Sequence, residues 1–359
     1  MEKITRRSSL RGTAAMLAAS SMAQAAAKRT PPPGKPGIKF ALMNGTAPAR
    51  ATFVGKQIGV NYAICGAGLG RVQPADYEKT LAKMKEDFAA VGVTVAGVES
   101  HPVPAEKIKL GEQGRDEEIE NYIKSIRALS NTGINVLCYN FMAGLGWYRT
   151  KVDAKGRGGA LITVFDNKDA VKQGLTKWGE ISEDKMWDNI TYFLKAVIPE
   201  AQKAGIKMAL HPDDPPLSPL RGIGRIVTSA KNYRRIMDIV PSPMNGVTFC
   251  QANFVAMGED VEALAKEWLK QKKIFFVHFR DIKGNREYIE ETFHDEGVTD
   301  MARMLEVYHQ GGFDGPLRPD HAPTLYGEAN DRPGYALEGK IFAIGYFKGI
   351  MQGKGLPYS

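Results

Sequence analysis

Four stretches of the second half decide the fold: Met208-Ala209-Leu210-His211-Pro212-Asp213-Asp214, Gly246-Val247-Thr248-Phe249-Cys250-Gln251, Ile274-Phe275-Phe276-Val277-His278-Phe279-Arg280 and Pro316-Leu317-Arg318-Pro319-Asp320-His321. Each is an apolar, strand-like run that ends in a side chain able to bind a metal. The runs recur at roughly 30 to 40 residues, the length of a βα unit. In a parallel barrel the C-terminal tips of the strands converge on one face, and that face carries the active site. His211, Cys250, His278 and Asp320 are therefore expected to meet in one divalent-metal site. Imidazole, thiolate and carboxylate together suit borderline metals; Mg²⁺ and Ca²⁺ would not select a thiolate.

Working outward, eight buried-strand runs are expected at 37–43, 58–65, 93–99, 134–140, 206–211, 246–251, 274–279 and 316–320. Amphipathic helical patterns lie between them at 76–91, 116–131, 183–204, 229–240, 259–271 and 298–310, with a closing helix at 337–351. Several of these end in glycine directly before a strand, as at Ala204-Gly205. The fold class is thus α/β, a (β/α)8 TIM barrel over residues 37–359. The crossover 44–57 reads as too short for a full helix. Residues 141–182 and 322–336 read as long loops after the fourth and eighth strands, candidate covers for a substrate.

The chain has 359 residues, 43% hydrophobic and 25% charged, which is a globular balance. Its formal charge of +8 is spread without a basic block. Residues 1–27 carry four basic side chains against one acidic, so about +5 remains without them. Nucleic acid is not an expected partner, and an anionic small molecule is. Three cysteines, Cys65, Cys138 and Cys250, are an odd number and argue against a disulfide framework. Cys65 and Cys138 read as small buried hydrophobes.

Residues 1–27 read as an export signal. Arg6-Arg7 precede a small-residue, weakly apolar stretch, and Ala23-Gln24-Ala25 and Ala25-Ala26-Ala27 offer cleavage sites. Residues 28–36 follow as a linker. The expected location is the periplasm, reached by twin-arginine export with no membrane attachment after processing; the alternative is a cytoplasmic protein. The sequence leaves open whether copies associate as a homo-oligomer.

The phrases Val98-Glu99-Ser100, Cys138-Tyr139-Asn140-Phe141-Met142, Trp147-Tyr148-Arg149-Thr150, His211-Pro212-Asp213-Asp214-Pro215-Pro216 and Arg318-Pro319-Asp320-His321 resemble the mannonate dehydratase family. The resemblance runs in order from about residue 60 to the C-terminus. It implies a xylose-isomerase-like barrel and dehydration of D-mannonate, or a close relative, to the 2-keto-3-deoxy acid. It further implies Mn²⁺ or Fe²⁺ on His211, Cys250, His278 and Asp320, with His321 and Tyr335 as the acid/base pair. Arg280, Arg149, Asn140 and Asp213 are expected to bind the substrate, the two arginines through its carboxylate. Two departures fall at the substrate mouth: Ala322-Pro323 follows Asp320-His321, and Ala143-Gly144-Leu145-Gly146 precedes Trp147. Two rival functions are a metal-dependent sugar isomerase or epimerase on the same barrel and a non-catalytic sugar-binding protein. Cys250 as a ligand favours the dehydratase over both.

Overall fold

The computed structural model describes residues 37–359; the expected signal and linker lie outside the described residues. Eight parallel strands close into a barrel: β1 (Lys39–Asn44), β2 (Tyr62–Cys65), β3 (Thr94–Glu99), β4 (Val136–Tyr139), β7 (Lys207–Leu210), β8 (Asn245–Cys250), β9 (Ile274–His278) and β12 (Pro316–Arg318). They are adjacent in that order, and β1 pairs with β12 through Lys39–Pro316 and Phe40–Leu317. Every residue of β4, β8, β9 and β12 is buried. Such strands have a core on both faces, which explains their unbroken apolar runs. Helices Tyr77–Ala90, Arg115–Asn131, Glu183–Ala204, Ala230–Ile239, Val261–Lys270, Met301–Gln310 and Leu337–Gly353 form the outer layer.

Local chemistry sets their ends. Ser182, Ser229, Asp260 and Asp300 each accept a backbone N–H of the first helical turn, worth about 1 kcal/mol apiece. Gly205 closes the longest helix at φ +69°, a left-handed turn that leads straight into β7.

Two expectations need correction. The first crossover does hold a helix, Arg50–Gln57. Thr52 supports its first turn, accepting from the Ala49 N–H and donating to Asn44 Oδ1 at the tip of β1. The stretch after the fourth strand is no plain loop. It contains β5 (Lys151–Lys155) and β6 (Leu161–Asp166), which join β10 (Ile282–Asn285) and β11 (Tyr288–Glu291) in a four-stranded antiparallel sheet. Within it β6 pairs with β11, Tyr288 opposite Asp166. Phe165, Ile282, Ile289, Ala252 and Ala256 share a small apolar core, so the sheet rests on the short helix Gln251–Met257 that follows Cys250 directly.

Candidate active site

The strand tips do converge. Metal-competent atoms of His211, Cys250, His278 and Asp320 all lie within 4.8 Å of one another. His211 Nε2 is 3.1 Å from His278 Nδ1, which is 3.5 Å from Asp320 Oδ2; Cys250 Sγ is 3.8 Å from the same oxygen. His211 Nδ1 donates to the Pro212 carbonyl at 2.7 Å, leaving Nε2 as the bare nitrogen that faces the cluster. His278 turns its other nitrogen toward Glu99 Oε2, 3.5 Å away, the carboxylate–imidazole backing typical of metal ligands.

The three thiols differ in a way that matters. Burial works against ionising Cys250, but Arg280 and His211 outweigh it and bring the thiol down to about 6. Burial pushes Cys65 up to about 12 and Cys138 well above its ordinary value. Only Cys250 is a thiolate near neutrality, the form that binds a metal. The donor set therefore fits a borderline divalent ion, with cavity space left for substrate.

Two other groupings of donors are already served by arginine. Arg318 binds Glu99 and Asp320. Arg149 binds Asp214 and Glu291, and Arg280 binds Asp214, Glu291 and Asp320. Glu99, Asp214 and Glu291, the carboxylates that belong to those two groupings and not to the quartet, are thus charge-paired by arginine.

Above the quartet lies a cavity of about 190 Å³, whose walls include Glu99, Asn140, Trp147, Asp214, His321 and Tyr335. His321 Nδ1 donates to Glu291 Oε1 at 2.8 Å, and Nε2 accepts from the Tyr335 hydroxyl at 2.9 Å. A carboxylate on one ring nitrogen fixes the tautomer and leaves the other to handle a proton. Burial and Asp320 together push the Tyr335 phenol well above its ordinary value, so it keeps its proton. The Trp147 ring covers both groups, 4.9 Å from the His321 ring and 6.1 Å from that of Tyr335.

The expected substrate residues divide. Asn140 lines the cavity. Arg149 and Arg280 lie behind its wall, buried and occupied by carboxylates. Asp213 points into the following loop, where it accepts the Val227 N–H at 2.8 Å, and its neighbour Asp214 faces the cavity instead. Sequence reasoning missed Glu291 altogether. Besides holding His321 it binds Arg149 and Arg280 and accepts from Thr163 of β6 at 2.7 Å. Those partners hold its carboxyl well below the usual range against the cost of burial. No spacing rule marks it; the only signal was the apolar run Leu161–Phe165, which announces a sheet in the presumed loop.

The D-mannonate dehydratase family model matches residues 59–175 and 166–355. Mannonate dehydratase 2 of Halalkalibacterium halodurans is 36% identical over 321 residues, 82% of this chain and 91% of its own. Mannonate dehydratase of Streptococcus agalactiae is 34% identical over 299 residues, 76% of this chain and 85% of its own. The crystal structure of mannonate dehydratase from Streptococcus suis superposes with a TM-score of 0.78 at 28% identity, covering 90% of this chain and 96% of that one. A xylose isomerase domain protein from Planctomyces limnophilus, at 12% identity and TM-score 0.56, shares the fold alone. On the length and strength of these matches, the chain belongs to the mannonate dehydratase family.

Proposed function

We propose that this protein removes water from a sugar acid, D-mannonate or a close relative, to give the 2-keto-3-deoxy acid, using Mn²⁺ or Fe²⁺. The observation that carries the reading is the His321–Tyr335 pair, 2.9 Å apart, in a cavity also lined by His211, His278 and Asp320 of the His-Cys-His-Asp quartet. A divalent ion held by His211, Cys250, His278 and Asp320 would supply charge stabilisation for the developing enediolate. His321 Nε2 takes the C2 proton, and the Glu291 carboxylate stabilises the imidazolium that results. Tyr335 gives its proton to the 3-hydroxyl as the C3–O bond breaks, so one water leaves. The enol between C2 and C3 then tautomerises to the 2-keto acid. Trp147 screens both groups from solvent, and Asn140 is placed to hold a substrate hydroxyl.

Metal-loaded protein incubated with a panel of aldonates should yield a product lighter by one water, read by mass. Unchanged mass with altered stereochemistry would replace this reading by an isomerase or epimerase. Replacement of His321 by Asn or Tyr335 by Phe should keep the metal and lower turnover by about 10²-fold or more. Loss of metal in Tyr335→Phe, or near-normal turnover, contradicts the assigned roles.

The proposal extends to location. The order of twin arginines, small-residue stretch and Ala-x-Ala sites supports export, with a mature chain starting near Ala26 or Lys28. Replacing Arg6-Arg7 by Lys-Lys should then hold a folded precursor in the cytoplasm. A native protein that keeps Met1 and fractionates with the cytosol would overturn it.

A further inference from the structure

When Tyr335 gives up its proton its ring must carry a negative charge, and most of its surroundings resist this. Burial, then Asp320, with Glu99 and Glu291, push the phenol up, while Arg318 pulls it down. Arg318 is itself bound by Glu99 and Asp320. Two further cations stand against the ring. The Lys340 ammonium lies 4.7 Å from its centre and donates to the Tyr335 carbonyl at 3.3 Å; the Arg332 guanidinium lies 5.7 Å from the same centre. Lys340 is 5% exposed. Both cations border a second cavity whose wall Tyr335 shares, and neither lines the reaction cavity. Among the described residues neither has a carboxylate within ion-pair distance, whereas Arg149, Arg280 and Arg318 each bind at least two.

A cation over an aromatic face is drawn to the electrons of the ring. When a phenol ionises, its charge spreads into that ring, so the attraction is greatest once the proton has left. An interaction that strengthens along the reaction in this way lowers its barrier. Burial, followed by Arg318, holds the Lys340 amine down to about 7, and a negative ring beside it would draw it back up. We propose that Lys340, assisted by Arg332, is a positioning residue for the proton transfer, its charge offsetting the phenolate that forms on Tyr335 as the C3 hydroxyl leaves. Because neither cation lines the reaction cavity, both act through the phenol and not on the substrate. This rests on the dehydratase reading above and deepens it.

The test uses the full, metal-loaded protein with the accepted aldonate and its 3-deoxy-3-fluoro analogue. Loss of fluoride from the analogue gives the same 2-keto-3-deoxy acid but leans far less on a donated proton. Lys340→Met should lower kcat for the aldonate about tenfold and leave KM within about twofold. Fluoride release should change by less than about twofold, and Lys340→Arg should restore aldonate turnover. Lys340→Gln, which keeps a donor for the Tyr335 carbonyl but carries no charge, should behave like Lys340→Met. Equal losses on both substrates, an unchanged kcat in Lys340→Met, or restoration by Gln overturns the proposal. If Lys340→Met fails to fold, judged by circular dichroism and metal content, Arg332→Ala on the exposed loop decides, with a smaller loss confined to the aldonate expected. If the wild type eliminates from neither acid, the dehydratase reading has failed, and a fluorinated tyrosine installed at position 335 still decides. Its more acidic phenol, followed by absorbance, should ionise about tenfold less readily at a given pH in Lys340→Met. An identical titration in both proteins overturns the role of Lys340.

Discussion

The barrel-strand tips and the antiparallel sheet both deliver side chains to one cavity, by different physical routes. At the tips, His211, Cys250, His278 and Asp320 each extend a strand that is hydrogen-bonded on both sides and buried on both faces. Their positions follow from the barrel, which fixes them whatever the loops do. Glu291 instead ends a hairpin strand, and it reaches His321 only because β11 pairs with β6. Arg149 and Arg280 then bridge the layers, since both bind Glu291 of the sheet and Asp214 beyond β7. On the proposed roles, the tips would supply the donors for an ion, and the sheet would support the group that moves a proton. Metal binding and turnover should be separable by mutation.

The largest expected effect is on the tips. Cys250→Ser should lower bound metal by about tenfold or more by elemental analysis, while Cys65→Ser leaves it unchanged. Full occupancy in the Cys250 variant would break the four-donor assignment. The same thiol gives a pH signature. With the folded value near 6, it is ionised above that pH and protonates below it. Protonation of this thiol should therefore weaken metal affinity as the pH drops below about 6.

The second effect tests the sheet. Glu291→Gln should retain metal but lose about 10- to 100-fold in turnover, because His321 loses the carboxylate that orients it. It should also lower Tm, since Arg149 and Arg280 lose a buried counter-ion. A metal-free Glu291→Gln protein would erase the distinction between the two regions.

The smallest effect lies where the chain returns from the sheet. His294 is 1% exposed with neither ring nitrogen hydrogen-bonded, and burial, aided by Arg280, lowers it to about 3. It stays neutral in the folded state while the unfolded chain takes up a proton near pH 6.5. Its contribution to stability is therefore complete above pH 6.5 and is lost as the pH falls toward 3. His294→Phe, packed against Phe347, should flatten part of the fall in Tm between pH 6.5 and 4. An unchanged slope would show that His294 is solvated.

What could be read in advance follows the same division. Parallel strands buried on both faces announce themselves as apolar runs, and a ligand at a strand tip is a local feature of such a run, as in Phe276-Val277-His278. The antiparallel strands are short and partly exposed. Lys151–Lys155 buries neither face and offers only Val152 and Ala154 as apolar residues, and Ile282–Asn285 is half exposed, so neither stands out from loop composition. Glu291 and Arg149 are 142 residues apart, and nothing local links them. The arginines misled for a related reason. A sequence shows that a cation stands near a site but not that Asp214, Glu291 and Asp320 have already claimed it.

The pairing of β6 with β11 also bears on the order of folding. Each barrel strand pairs with one that is near in sequence, except where β1 meets β12 and the ring closes. The sheet needs two hairpin-like segments separated by three barrel strands, so its loop-closure entropy is recovered only after much of the barrel exists. On refolding, helical circular dichroism should therefore recover before dehydratase activity. A chain stalled before residue 291 during synthesis would hold His211, Cys250 and His278 but would lack Glu291, Asp320, His321 and Tyr335. Competence for chemistry is in this sense a late readout of chain completion.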